Sequence, residues 1–281
     1  MYYFIFVQPL TRKQSELAQQ IEDQVVADGI AGELVVADAY TDIDQLLAAA
    51  HHKDFHTVVV VGSPRLANHV AARLIRYEMA LGIVPWDAAP SLNELIGCHD
   101  WQSAVAAVKK RRWKYVALGR LGDQGVFLSE ATVDIKRSSE IIRLRTNSYT
   151  ALFNATAVTL SCTTRGLKDH QVVFGCETVA PELSNWQRFW GKKAAGPQSR
   201  FALEAFTLES ETPLQIILDG EVIASTPVSI STLPRAVRLI VARGQAAGSA
   251  ESKGAAAPRR AVVSEEESPR RAELLAGPDH I

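Results

Sequence analysis

The sequence predicts an α/β domain built on a parallel sheet, then an antiparallel β-sandwich domain, then a disordered tail. Three observations carry this. Over the first hundred or so residues, short apolar runs alternate with segments of helical period, the pattern of strands joined by helices on the faces of a parallel sheet. Beyond Lys114 the runs are short, rich in Thr, Val and Ser, and separated by turn residues. Beyond Arg243 the chain turns to Ala, Gly, Pro, Glu and Arg, a composition that cannot bury enough surface to offset the entropy of ordering. The expected boundaries are 1–120, 121–243 and 244–281.

The elements follow in order. Residues 4–7 are a first strand. Residues 15–28 carry Leu17, Ile21 and Val25 at helical spacing, and Gly29 stops that helix. Residues 34–36 are a second strand and 42–50 a short helix. The β-branched run 57–61 marks a strand buried on both faces. Residues 66–77 return to helical spacing, and 82–84 supply another strand. Ser91-Leu92-Asn93-Glu94 has capping-box spacing, and Asp100 caps a helix ending near Arg112. Residues 115–121 and 126–129 flank Gly122-Asp123-Gln124-Gly125 as a hairpin. Strands are then expected over 152–161, 171–174, 201–208, 215–218 and 237–241.

Composition excludes several function classes. Hydrophobic content of 47% with 22% charged residues is ordinary for a globular protein, and the net charge of -1 gives no global pull toward nucleic acid. No nucleic-acid partner is expected. Cys98, Cys162 and Cys176 are odd in number and far apart, unlike a disulfide framework or a zinc site. The apolar start lacks basic flanks and is broken by Gln8-Pro9, so neither a signal peptide nor a span is read there. A cytoplasmic protein is expected.

The segments Phe206-Thr207-Leu208-Glu209-Ser210, Pro213-Leu214-Gln215, Asp219-Gly220-Glu221, Thr226-Pro227 and Leu233-Pro234-Arg235-Ala236-Val237 resemble the closing β segments of bacterial diacylglycerol kinases and related lipid kinases. Leu81-Gly82-Ile83-Val84-Pro85 and Leu118-Gly119-Arg120 sit where that family has equivalent strands. The resemblance spans most of residues 1–243. It implies a Rossmann-like α/β domain of the diacylglycerol-kinase and NAD-kinase type plus an antiparallel β domain, with ATP and Mg²⁺ as cofactors of an active member.

Three loops on which that family's chemistry depends are rewritten. Gln8-Pro9-Leu10-Thr11-Arg12 stands where the family has Asn-Pro-x-Ser-Gly, and Gly62-Ser63-Pro64-Arg65 where it has Gly-Asp-Gly-Thr after a first Gly. Pro85-Trp86-Asp87-Ala88-Ala89-Pro90 replaces Pro-x-Gly-Thr-Gly-Asn. A phosphate cradle needs backbone N–H groups unhindered by Cβ atoms; Pro64 has none to offer, and Ala88 and Ala89 add methyls. Losing one placed donor costs about 10²–10³ in rate, and several are absent together. The resemblance places Thr11, Gly62, Ser63, Arg65 and Asp87 at the nucleotide, and Asp219 and Glu221 at a family-matched acidic turn, which also reads as an ordinary turn between strands. No catalytic residue is assigned.

Two stretches suit a membrane surface. One is the basic run Lys109-Lys110-Arg111-Arg112 with Trp113, which equally suits a solvated helix end. The other holds Trp186 and Trp190 among cations, and equally suits a loop packed on the β domain. His52 and His56 have a ligand-like spacing without a neighbouring acid or Cys, and no metal is expected there. The expectation is a lipid-kinase homologue with weak or no ATP-dependent phosphotransfer that binds lipid, anionic membrane surface or a protein partner. The alternative is an active kinase for a diacylglycerol- or sphingoid-type hydroxyl.

Overall fold

The computed structural model describes residues 1–86, 90–162, 171–178 and 197–242. Asp87, Trp186, Trp190 and the expected tail lie outside them. Five helices and fifteen strands are present among the described residues.

The N-terminal half alternates as expected: β1 (Tyr2–Val7), α1 (Arg12–Ala27), β2 (Gly32–Ala37), α2 (Ile43–His52), β3 (Thr57–Gly62), α3 (Pro64–Leu74), β4 (Ala80–Pro85), α4 (Pro90–Ile96) and α5 (Trp101–Lys110). Local chemistry sets the helix starts. Thr11 caps α1 and Asp42 caps α2. Asp100 and Ser103 exchange a full capping box at α5, with Ser103 N donating to Asp100 Oδ1 at 2.7 Å. The strands run parallel in the order β2-β1-β3-β4. Every residue of β3 and β4 is buried, which is why their sequences are apolar without alternation. β2, at the sheet edge, alternates instead.

The C-terminal half is antiparallel: β5 (Trp113–Leu121), β6 (Gly125–Phe127), β7 (Glu130–Val133), β8 (Glu140–Arg145), β9 (Thr150–Ser161), β10 (Val172–Thr178), β11 (Gln198–Leu203), β12 (Ala205–Ser210), β13 (Gln215–Leu218), β14 (Glu221–Ser225) and β15 (Val228–Ile240). These strands close around a core that includes Ile142, Leu144, Leu160, Phe174, Phe206 and Leu208. The expected strand over 201–208 is two strands, β11 and β12, which pair with different neighbours. Strands β7, β8 and β14 are short, and in β8 only Ile142 and Leu144 face the core, so their apolar signal is thin.

β5 and β15 form a long ribbon that runs through both cores. Val228 and Ile230 of β15 belong to the antiparallel core, whereas Val237, Leu239 and Ile240 belong to the parallel one. Near its end β15 pairs parallel with β4, adding a fifth strand to the N-terminal sheet. The ribbon's register shifts between Leu233 and Val237, and there Arg235 takes a left-handed φ of 51°, as expected of a bulge. The described residues thereby form one compact unit.

Candidate functional site

A cleft of about 340 Å³ opens between α3 and the β13–β14 turn. Gly62, the last residue of β3, leads into α3 with φ 140°. A Cβ there would lie 2.4 Å from Val7 Cγ2, so this glycine is required by the approach of β1 before any ligand is considered. Ser63 then caps α3, accepting from Leu66 N at 3.5 Å, with Pro64 at the first helical position. The first two turns of α3 present Arg65, Asn68 and His69 to the cleft.

The opposing wall is the turn Asp219-Gly220, with φ values of 50° and 83°. Two successive left-handed residues are what an Asp-Gly hairpin supplies. The backbone reading of Asp-Gly-Glu as a turn between strands is therefore right, and the turn also delivers two carboxylates to the cleft.

Both carboxylates are engaged by α3. Arg65 forms an ion pair with Glu221 Oε1, and His69 Nε2 lies 3.2 Å from Glu221 Oε2. Asn68 donates from Nδ2 to Asp219 Oδ2, and at 3.3 Å to Pro64 O. Asn68 Oδ1 accepts from Leu128 N at 2.8 Å. Asn68 is only 4% exposed, and it ties the helix, the β6–β7 connection and the acidic turn together. Burial raises the Asp219 carboxyl above its ordinary value, opposed mainly by the Asn68 hydrogen bond and then by the nearby His69 and Arg65 charges.

The expected nucleotide residues are only partly brought together. Arg65 shares the cleft with Asp219 and Glu221, with Gly62 and Ser63 immediately before it. Thr11 is exposed, and its hydroxyl is used by Gln14 N at 3.2 Å in capping α1. Asn68 and His69 escaped the sequence reading, although they lie three and four residues after Arg65, on the same helix face. Their partners on β13–β14 are about 150 residues away, and no local signal announces that pairing.

The basic run lies elsewhere. Arg111 reaches Thr57 Oγ1 at 3.1 Å and stacks on Tyr2, 4.9 Å from its ring centre, so it sits where β1 and β3 begin, at the far end of the sheet from Gly62. Lys109 pairs with Asp28 at 2.8 Å. Trp113 is 48% exposed.

The remaining candidates have structural surroundings. His56, of the histidine pair, lies 3.8 Å from Asp54, and the neighbouring His51 ring meets Tyr77 at 5.5 Å with planes at 57°. All three cysteines are buried and unpaired, and burial pushes the Cys162 thiol up to about 12 and Cys176 to about 11, far from nucleophilic thiolates. Among the described residues, no group of three His, Cys, Asp or Glu is placed to hold a metal ion, and no helix is long and apolar enough to cross a membrane.

No family model and no curated protein matches the sequence. Solved structures do. The crystal structure of a diacylglycerol kinase from Bacillus anthracis str. Sterne superposes with a TM-score of 0.65 at 13% identity, covering 86% of this chain and 97% of that one. Two further structures from the same organism, provisionally described as diacylglycerol kinase, superpose with a TM-score of 0.66 at 12% identity over the same shares. The chain has the diacylglycerol-kinase fold.

Proposed function

We propose that this protein is a lipid-kinase homologue with weak or no ATP-dependent phosphotransfer, whose role is to bind lipid, a membrane surface or a partner protein. The observation that carries the reading is the state of the acidic turn. Phosphoryl transfer rests on positioning and on stabilisation of charge by metal ions and donors. Here Glu221 is matched by Arg65 and His69, and Asp219 by Asn68. Carboxylates already satisfied by protein cations and donors attract Mg²⁺ weakly, because a cation binding there must displace those partners.

The β3–α3 connection supports the same reading. Its one glycine is accounted for by Val7, its serine by the helix cap, and Pro64 has no N–H. The donor set therefore does not fit an ATP phosphate chain with its metal. A cytoplasmic location with peripheral membrane contact belongs to the same proposal.

The direct test is phosphotransfer from Mg-ATP to diacylglycerol and to sphingosine in mixed micelles. The expected result is a rate that Asp219→Asn and Glu221→Gln leave at background. Phosphorylation of either lipid that both substitutions abolish would replace this reading with an active kinase using the acidic turn.

A further inference from the structure

We propose that the ribbon face carrying Trp113, Tyr115, Arg235 and Arg238 is a docking surface for an anionic phospholipid membrane. It is not the basic run as the sequence presents it. Of that run, Lys109 is held by Asp28, and Arg111 by Thr57 and Tyr2. The structure adds two cations from a segment more than a hundred residues later.

The register builds the surface. Tyr115 pairs with Arg238 across the β5–β15 ribbon, and Trp113 with Ile240. Trp113 and Tyr115 are two residues apart on one strand, so they share a face, with ring centres 5.4 Å apart and planes at 80°. They are 48% and 38% exposed. Arg238 lies 5.7 Å from the Trp113 ring centre, and Arg235, exposed at the left-handed bulge, lies 4.5 Å from that of Tyr115. Lys110 and Arg112, just before β5 in sequence, are both exposed. Segments 101–120 and 228–242 contain no Asp or Glu.

Half-exposed Trp and Tyr rings beside arginines match a headgroup layer, where the rings sit at the interface and the cations meet phosphate. A single-stranded nucleic acid would need free ring faces for base stacking. Here the protein's own guanidinium groups occupy a face of each ring. The surface is independent of phosphotransfer in the cleft, since a working kinase would dock in the same way.

Co-sedimentation of the full chain with phosphatidylcholine vesicles, with and without phosphatidylglycerol, tests this. Binding is expected only with the anionic lipid, weakening as added salt shortens the Debye length from about 10 Å toward 3 Å. Each cation is worth about fivefold in partition, so Arg235→Gln with Arg238→Gln should lower it about 25-fold. Lys110→Gln with Arg112→Gln, at exposed positions outside the ribbon stacks, gives a second reading should the first variant fold poorly. Arg12→Gln with Lys13→Gln, exposed on α1, should change nothing. Equal binding to neutral and anionic vesicles, or binding that survives a folded Arg235→Gln, Arg238→Gln variant or, should that variant not fold, the Lys110→Gln, Arg112→Gln one, would overturn the proposal. So would capture of a single-stranded oligonucleotide by the wild type but not the variants, with vesicles ignored. A kinase assay that succeeds or fails leaves each of these outcomes unchanged.

Discussion

The cleft and the ribbon face are both rich in charge, and they use it in opposite ways. In the cleft, each acidic group meets a cation or donor from the facing element: Arg65 and His69 on Glu221, Asn68 on Asp219. On the ribbon, arginines lie against aromatic rings that remain open to solvent. Charges paired across two elements hold those elements together, whereas the ribbon arginines are engaged through ring contacts. A motif that looks functional in sequence can thus form a clasp between two elements of the fold.

Removing the clasp should have the largest effect. Asn68→Ala strands Leu128 N–H and deprives a partly buried carboxylate of its donor, and should cost about 3 kcal/mol of stability in denaturant unfolding. Gly62→Val should be comparably harmful with or without nucleotide, because the new side chain collides with Val7 and φ 140° is strained for any other residue. An unchanged midpoint for either variant would break the picture of a cleft held by its own side chains.

Asp100→Ala removes the α5 cap next to the basic run and should cost about 1 kcal/mol, lowering the melting temperature while leaving the ribbon rings in place.

The pH dependence of the cleft has a defined sign. Because burial raises the Asp219 pKa, the folded state holds a proton that the unfolded chain releases between the ordinary carboxyl value and the raised one. That contribution to stability falls as pH rises through this window and stays lost above it. Asp219→Asn, which keeps an acceptor for Asn68 and suits the left-handed turn, should therefore raise stability at neutral pH. The gain should shrink as pH falls through the raised value. A gain that grows on acidification would reverse the assignment. Smallest of all, Trp113→Ala should change stability by no more than about 0.5 kcal/mol, since the ring is half exposed.

Much of the fold was legible because its signals are local. Fully buried β3 reads as an unbroken β-branched run, and Asp100 announces the start of α5. The closing segments around Asp219 and Leu233 pointed to a fold that the superposition bears out. What escaped was non-local. Strand β8 shows the core only two side chains, and β14 is hidden behind the turn that precedes it. Arg65 and Glu221 were each singled out, but their contact depends on a hairpin meeting a helix 156 residues away. Arg235 drew notice only as part of a strand motif, since its stacking on Tyr115 depends on a bulge in the ribbon register.

The most direct test of the central claim is the melting temperature of the full chain with and without Mg-ATP. A ligand at about 100 times its Kd adds roughly 2.7 kcal/mol to folding stability, a shift readily seen in a melt. A cleft whose acids are already matched by Arg65, His69 and Asn68 should give no shift up to millimolar Mg-ATP. A saturable rise in melting temperature with Mg-ATP, lost in Glu221→Gln, would contradict the account and return the cleft to catalysis.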